Sequence, residues 1–206
     1  MDNNHPAITR PTLTEQMRNL FRPIIEWIGK TGAQLGINPD LVTMAGCLIT
    51  LVSAWLAGRG DLLLAGIVLI PGFLLDAVDG AIARAMGRKD SFGQLLDSTL
   101  DRYSDGFIFC GLAYYFASQG KLNESLLAMA ALIGAFMVSY VRARAEGMGL
   151  GSIKDGLFDR AIRSIVLVIA LLTGWVVPGL VILALGAHLT ALQRIAIGYR
   201  KTRLVP

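Results

Sequence analysis

The sequence predicts an all-α integral membrane protein, with six transmembrane helices preceded by an N-terminal amphipathic helix in the membrane interface. Three observations carry that prediction. Of the 206 residues, 54% are hydrophobic and only 17% charged, against about 25% charged in ordinary soluble domains, and the mean hydropathy is +0.57. The apolar residues are gathered into runs that approach the roughly 20 residues needed to cross a bilayer core. The basic residues fall almost entirely to one side of those runs. Cys47 and Cys110 both lie in apolar stretches, where buried thiols are expected, and two cysteines do not make a disulfide-stapled secreted domain. No CxxC or Cys/His cluster points to zinc or redox chemistry. A net charge of +4 fits cytoplasmic arginines better than a nucleic-acid partner.

The first twelve residues, with Pro6 and Pro11, are polar and lack a signal-peptide layout, so no cleavage is expected. From Thr12 to Gly36, Leu20, Phe21, Ile24, Ile25, Ile28 and Leu35 recur at helical spacing between Arg18, Arg22, Glu26 and Lys30. That pattern suits a helix lying in the interface. Residues 1–36 therefore form a tail and interfacial helix, and 37–206 the membrane domain. Six spans are read at about Leu41–Leu56, Leu62–Val78, Gly106–Ala117, Leu126–Val141, Ile162–Val176 and Pro178–Ile197. The third helix is expected to begin earlier, near Ser91. Turn signals separate spans at Gly58-Arg59-Gly60-Asp61, Gly120-Lys121-Leu122-Asn123 and Gly174 to Pro178. With six spans, only Arg59 and Lys121 of the 19 basic residues fall on the far side. The positive-inside rule then puts both termini, and the span ends described next, in the cytoplasm of a multi-pass cell-membrane protein.

Five aspartates, Asp76, Asp79, Asp97, Asp101 and Asp105, sit at or just inside span ends, where ionisable groups are costly and functional use is the default. Asp76 and Asp79 are three apart, Asp97 and Asp101 four apart, so each pair shares a helix face. The short link from Gly80 to Gly93 lets those faces meet. Four carboxylates in low dielectric repel one another, and a divalent cation relieves this better than protonation. Oxygen ligands without histidine or cysteine favour Mg²⁺, Mn²⁺ or Ca²⁺. Two ions bridged by shared carboxylates would hold phosphates for an in-line displacement. For any single aspartate, a helix cap or an ion pair with Arg84 or Arg102 is the competing reading. Asp105 is read as a structural or supporting carboxylate.

The segment Asp76-Ala-Val-Asp79-Gly80-Ala-Ile-Ala83-Arg84, followed by Gly93-Gln-Leu-Leu-Asp97-Ser-Thr-Leu-Asp101, resembles the signature of the CDP-alcohol phosphotransferase family at every fixed position. The resemblance implies an enzyme that passes the phosphatidyl group of a CDP-lipid to an acceptor hydroxyl and releases CMP. It implies that Asp76, Asp79, Asp97 and Asp101 bind Mg²⁺ or Mn²⁺, two ions per site. Asp101 is by the same resemblance the general base that takes the acceptor's proton, and Arg84 the contact to the nucleotide diphosphate. Gly80 reads as a close-approach position for the nucleotide. Asp40-Leu41-Val42-Thr43 resembles the family's short segment that contributes to the CDP pocket, although Asn38-Pro39-Asp40 is also ordinary helix capping. Arg88 and Lys89 are read as surface charge.

Further stretches resemble the phosphatidylinositol phosphate synthase branch: Ser139-Tyr-Val-Arg142-Ala-Arg144, Asp159-Arg160-Ala-Ile-Arg163 and Asp101-Arg-Tyr-Ser-Asp105-Gly-Phe-Ile-Phe-Cys110. That branch uses inositol 1-phosphate, and its acceptor-phosphate residues map onto Arg142, Arg160 and Arg194. Two departures stand out: the first of these positions is commonly lysine there, and Asp159-Arg-Ala-Ile-Arg163 replaces Glu-Arg-Pro-Glu-Arg. A glycerol 3-phosphate acceptor would use a similar three-arginine clamp, so both small phosphorylated polyols stay open, with inositol phosphate preferred. A transporter would spread charges through the membrane depth, whereas here they cluster at one end. A scaffold that only binds CDP-lipid could dispense with Asp101. His188, in mid-span, is expected to hydrogen-bond to a neighbouring helix. Trp27, Trp55 and Trp175 suit interfacial anchoring. Gly134, Ala135, Gly186 and Ala187 allow either close helix packing or a homodimer seam.

Overall fold

The computed structural model describes residues 13–88, 91–153 and 155–204, with side chains from Arg22 to Arg203. The opening polar segment, the Leu20 and Phe21 side chains, Lys89 and Lys154 lie outside the described residues. Among the described residues there are seven helices and no strand: α1 (Leu13–Gln34), α2 (Pro39–Arg59), α3 (Leu62–Ala85), α4 (Ser91–Ser118), α5 (Leu122–Gly147), α6 (Arg160–Thr173) and α7 (Val176–Leu204). The third apolar run thus belongs to a helix that begins at Ser91, as its sequence suggested. The cause is local: Asp97, Asp101 and Asp105 interrupt the hydropathy of α4 but not its helical propensity. Four helices, α2, α3, α5 and α7, are long and apolar enough to cross a membrane by length and composition. In α4 the charged residues lower the apolarity. In α6 the 14 residues amount to about 21 Å of helix.

Several helix ends are set by side-chain or backbone chemistry. Asn38 caps α2 by accepting a hydrogen bond from the Asp40 N–H at 3.0 Å, with Pro39 at the first helical position. Asp159 caps α6 in the same way, accepting from Ile162 N–H at 3.0 Å. Gly60 ends α2 in the left-handed region at φ 91°, where a side chain would be strained.

Short links make successive helices antiparallel, and six of them close into a ring in which neighbours run α2, α4, α5, α7, α6, α3 and back to α2. α1 lies outside the ring against α3. There Gly29 and Gly32 come so close to Ala81 and Ile82 that an added Cβ would collide. Ile24 and Trp27 remain exposed on α1, consistent with a helix that keeps an apolar face for the interface. The ring's interior is filled by alanine, leucine, isoleucine and phenylalanine, among them Leu69, Ile108, Leu112, Leu171, Leu180 and Leu183. Serines tie helices together: Ser53 Oγ donates to Ala65 O at 2.7 Å, and Ser125 Oγ to Ala113 O at 2.9 Å. Small residues set the helix spacing, as is usual where lipid supplies no hydrophobic drive. A Cβ on Gly111 would run into the Ala54 backbone, and one on Gly134 into Ala187 and His188. Gly134 and Ala187 therefore serve packing within the chain.

Two minor expectations are corrected. Cys47 is buried, but Cys110 is exposed, because it faces a groove between α4 and α5. His188 Nδ1 lies 2.9 Å from Ala184 O of its own helix rather than bonding to a neighbour, since Gly134 of α5 presents only backbone to it.

The contact of Gly111 with Ala54 predicts that Gly111→Leu forces α2 and α4 apart. The thermal unfolding midpoint in detergent should fall, with a destabilisation of about 1–3 kcal/mol typical of overpacking. An unchanged midpoint would show that this crossing is not close-packed.

Candidate active site

Antiparallel alternation brings the start of α2, the end of α3, the start of α4, the end of α5, the start of α6 and the end of α7 to one end of the ring. Asp76, Asp97 and Asp101 meet there, each with a carboxylate oxygen within 4.8 Å of the others. Asp79 does not join this group. It is 5% exposed, accepts a hydrogen bond from Thr43 Oγ1 at 2.5 Å and is also held by the Gly80 N–H. Thr43 of α2 thus turns the fourth carboxylate toward its own helix.

Three carboxylates this close need a counter-charge. Arg160, the first residue of α6, supplies it: Nη1 lies 2.5 Å from Asp76 Oδ1 and 2.5 Å from Asp101 Oδ1. One turn deeper, Arg163 Nη2 pairs with Asp105 at 3.1 Å and Arg163 Nη1 donates to Phe158 O at 3.2 Å. Asp105 is thus engaged in an ion pair across to α6. Arg102 Nη1 also lies 3.6 Å from Asp101 Oδ2, so two guanidinia face three carboxylates and the cluster stays negative. With no imidazole or thiolate in the donor set, the residues present fit a hard divalent cation.

Two openings meet at Asp76. A polar cleft of about 260 Å³ is lined by Asp40, Thr43, Asp79, Gly80, Arg84 and Asp97, with Arg88 and Gln94 at its side. An apolar groove of about 510 Å³ runs between α3 and α6 past Phe73, Leu74, Ile165 and Val168, and also reaches Asp76 and Arg160. Leu41 and Val42 do not line the cleft; Leu41 is 62% exposed, on the outside of α2. A larger groove of about 990 Å³ between α4 and α5 begins at Asp97 and Asp101 and includes Arg142.

None of the openings described above holds all three expected acceptor arginines. Arg142 pairs with Glu146 at 3.0 Å in the α4/α5 groove, and Arg160 sits at the carboxylates. Arg194 is 4% exposed; it donates from Nε to Asp155 O at 2.9 Å and from Nη1 to Val138 O at 2.7 Å. The sequence reading missed Gln94 and the cleft-side position of Arg88. The available signal was their location in or beside the short link joining the two aspartate pairs.

A helical membrane ring with an aspartate cluster, a polar cleft and an apolar groove defines a class before any comparison. A sequence profile of the CDP-alcohol phosphatidyltransferase family matches residues 37–192, and the chain belongs to that family of membrane enzymes. An archaetidylinositol phosphate synthase of Pyrococcus horikoshii is 40% identical over 183 residues, covering 89% of this chain and 95% of the relative. The crystal structure of Mycobacterium tuberculosis phosphatidylinositol phosphate synthase with CDP-DAG bound superposes with a TM-score of 0.77 at 29% identity, over 86% of this chain and 94% of that one. The same enzyme in complex with manganese and citrate gives 0.73 at 28% identity, over 85% and 88%.

Because Arg160 competes with any cation for Asp76 and Asp101, Arg160→Ala should bind Mn²⁺ several-fold more tightly, as followed by electron paramagnetic resonance in detergent. Equal or weaker affinity would show that Arg160 does not occupy cation-binding oxygens.

Proposed function

We propose that the protein transfers the phosphatidyl-type group of a CDP-lipid to the hydroxyl of inositol 1-phosphate, releasing CMP, at the cytoplasmic face of the membrane. The observation that carries this reading is the junction at Asp76, where a polar cleft and an apolar groove open onto the same carboxylate. That shape matches a substrate with a nucleotide diphosphate head and hydrocarbon tails. The related archaetidylinositol phosphate and phosphatidylinositol phosphate synthases favour inositol phosphate as acceptor.

In this reading Asp40, Thr43, Gly80 and Arg84 receive the CDP head, with Leu41 and Val42 as the outer part of the same segment. Asp76, Asp97 and Asp101 would hold Mg²⁺ or Mn²⁺, two ions once Asp79 exchanges its bond to Thr43 for metal, and manganese in the related enzyme is a precedent. When bound, such ions draw the diphosphate into place and offset charge on the entering and leaving oxygens. Asp101 accepts the proton of the acceptor hydroxyl. The acceptor oxygen bonds to the lipid-side phosphorus, and the bond from that phosphorus to CMP breaks. Arg160, beside the carboxylates, and Arg142, from the α4/α5 groove, hold the acceptor's phosphate, and Arg194 supports them from behind through Asp155 O and Val138 O. For Arg160 this role is supported by a buried Nε without a hydrogen-bond partner, a donor left for an anion. Six crossings, with both termini on the cytoplasmic side, account for the placement of all basic residues but Arg59 and Lys121.

Purified protein with CDP-diacylglycerol and Mg²⁺ should release CMP when inositol 1-phosphate is added. Release with glycerol 3-phosphate alone would keep the mechanism and overturn the acceptor. Exhaustive chelation should stop release, and activity that survives it would remove the metal from the reading. Asp101→Asn should lower turnover by about 10²–10⁴-fold, the usual reach of a general base, while CDP-lipid binding persists. Joint loss of binding and turnover would make Asp101 structural.

A further inference from the structure

Arg88 lies in the link between α3 and α4, and it pairs with a carboxylate far away in sequence. Its Nη2 is 2.7 Å from Asp40 Oδ2, and its Nη1 is 3.3 Å from Asn38 Oδ1. It thus straddles the N-terminal turn of α2, gripping both the capping side chain and the first acidic residue of the helix. The pair is partly withdrawn from water, with the Arg88 and Asp40 side chains 28% and 19% exposed. Both residues line the cleft that also holds Thr43, Gly80 and Arg84. A rim arginine that only covered surface would not be forked onto two groups of another helix. A guanidinium suits this task because its planar donors can take two acceptors in a fixed geometry, which an ammonium cannot.

We propose that Arg88 is a positioning residue for the nucleotide side of the site. It acts through Asp40, holding that carboxylate against the turn that follows α3 in the arrangement that shapes the cleft. Asn38 contributes twice: its Oδ1 caps α2 through the Asp40 N–H and also receives Arg88. The clasp therefore ties the link directly to the helix start that aims Asp40 and, one turn on, Thr43. Thr43 in turn bonds Asp79, so the same clasp bears on the carboxylate nearest the cleft. Loosening it should harm nucleotide binding more than acceptor use, because Arg142 and the α4/α5 groove lie on the other side of Asp97 and Asp101.

This inference rests on the CDP-lipid reading above, so its test uses CMP as a probe that needs no turnover. Titration calorimetry on the full chain in detergent with Mg²⁺ would compare the unaltered protein with Arg88→Ala, Arg88→Lys, Asp40→Asn and the double variant Arg88→Ala/Asp40→Asn. Arg88→Ala should weaken CMP by about tenfold, within the range of a charge-assisted hydrogen bond, and raise the CDP-lipid KM similarly while the acceptor KM stays within about twofold. Arg88→Lys should recover part of the loss. In the Asp40→Asn background, Arg88→Ala should add less than about twofold, since residues acting as one unit are non-additive. A full loss in that background would overturn the proposal by making Arg88 act on the nucleotide itself. Unchanged CMP affinity in Arg88→Ala, or equal losses in kcat and both KM values, would overturn it as well. If the unaltered protein binds no CMP, the CDP-lipid reading falls first, and that result is distinct from a variant that binds like the unaltered chain.

Discussion

Arg160, between Asp76 and Asp101, joins the end of α3, the start of α4 and the start of α6 in one electrostatic knot. In a low-dielectric setting three clustered carboxylates would drive those helix ends apart, and one guanidinium converts the repulsion into attachment. The pair of Arg163 with Asp105 repeats the attachment one turn deeper between α4 and α6. Removing one partner of such a pair leaves a charge without compensation, commonly a loss of about 3–5 kcal/mol when the pair is buried. α6 is short, and these two rungs at its start compensate for the limited apolar surface it can offer.

The same end of the molecule is organised by a second, quieter device along α7. The segment between α5 and α6 lies against this helix, with Phe158 packed on Gly186, the Phe158 N–H on Thr190 Oγ1 at 3.1 Å, Asp155 O on Arg194 and Leu150 O on Lys201 Nζ at 3.1 Å. Gly186, Thr190 and Arg194 are successive at four-residue spacing, one stripe of the helix. Ile153 is buried with no exposure. A polar connection is thereby fixed over its whole length, and Arg160 and Arg163 enter α6 from a defined position. Arg194 is the midpoint of this rail, and its bond to Val138 O carries the alignment on to α5.

These two devices leave the carboxylates at a crossroads. Asp76 belongs to both the polar cleft and the apolar groove, and Asp97 to both the cleft and the α4/α5 groove. A reactive centre placed where compartments of different polarity meet can accept a lipid without drawing it out of the membrane and a polar partner without admitting it to the membrane core. The small residues at helix crossings make this possible, since close backbone contact at Gly46, Gly72 and Gly111 draws α3 and α4 onto α2, near enough for the aspartates of α3 and α4 to meet.

Much of this was legible in the sequence because it is local. Helix limits follow from hydropathy, from Asn38-Pro39 and Asp159 caps and from glycines such as Gly60. The aspartate pairs follow from three- and four-residue spacing within single helices, and the family from a signature confined to residues 76–101. Tertiary structure alone decided which charges found one another. It drew Asp79 away to Thr43, gave Arg160 to Asp76 and Asp101, and spent Arg194 on two backbone carbonyls. It also turned Arg88 from an ordinary surface charge into a clasp on Asp40. Spacing within a helix states which side chains share a face, but long arginine side chains choose partners across the bundle by distance and desolvation, which exist only once the helices have packed.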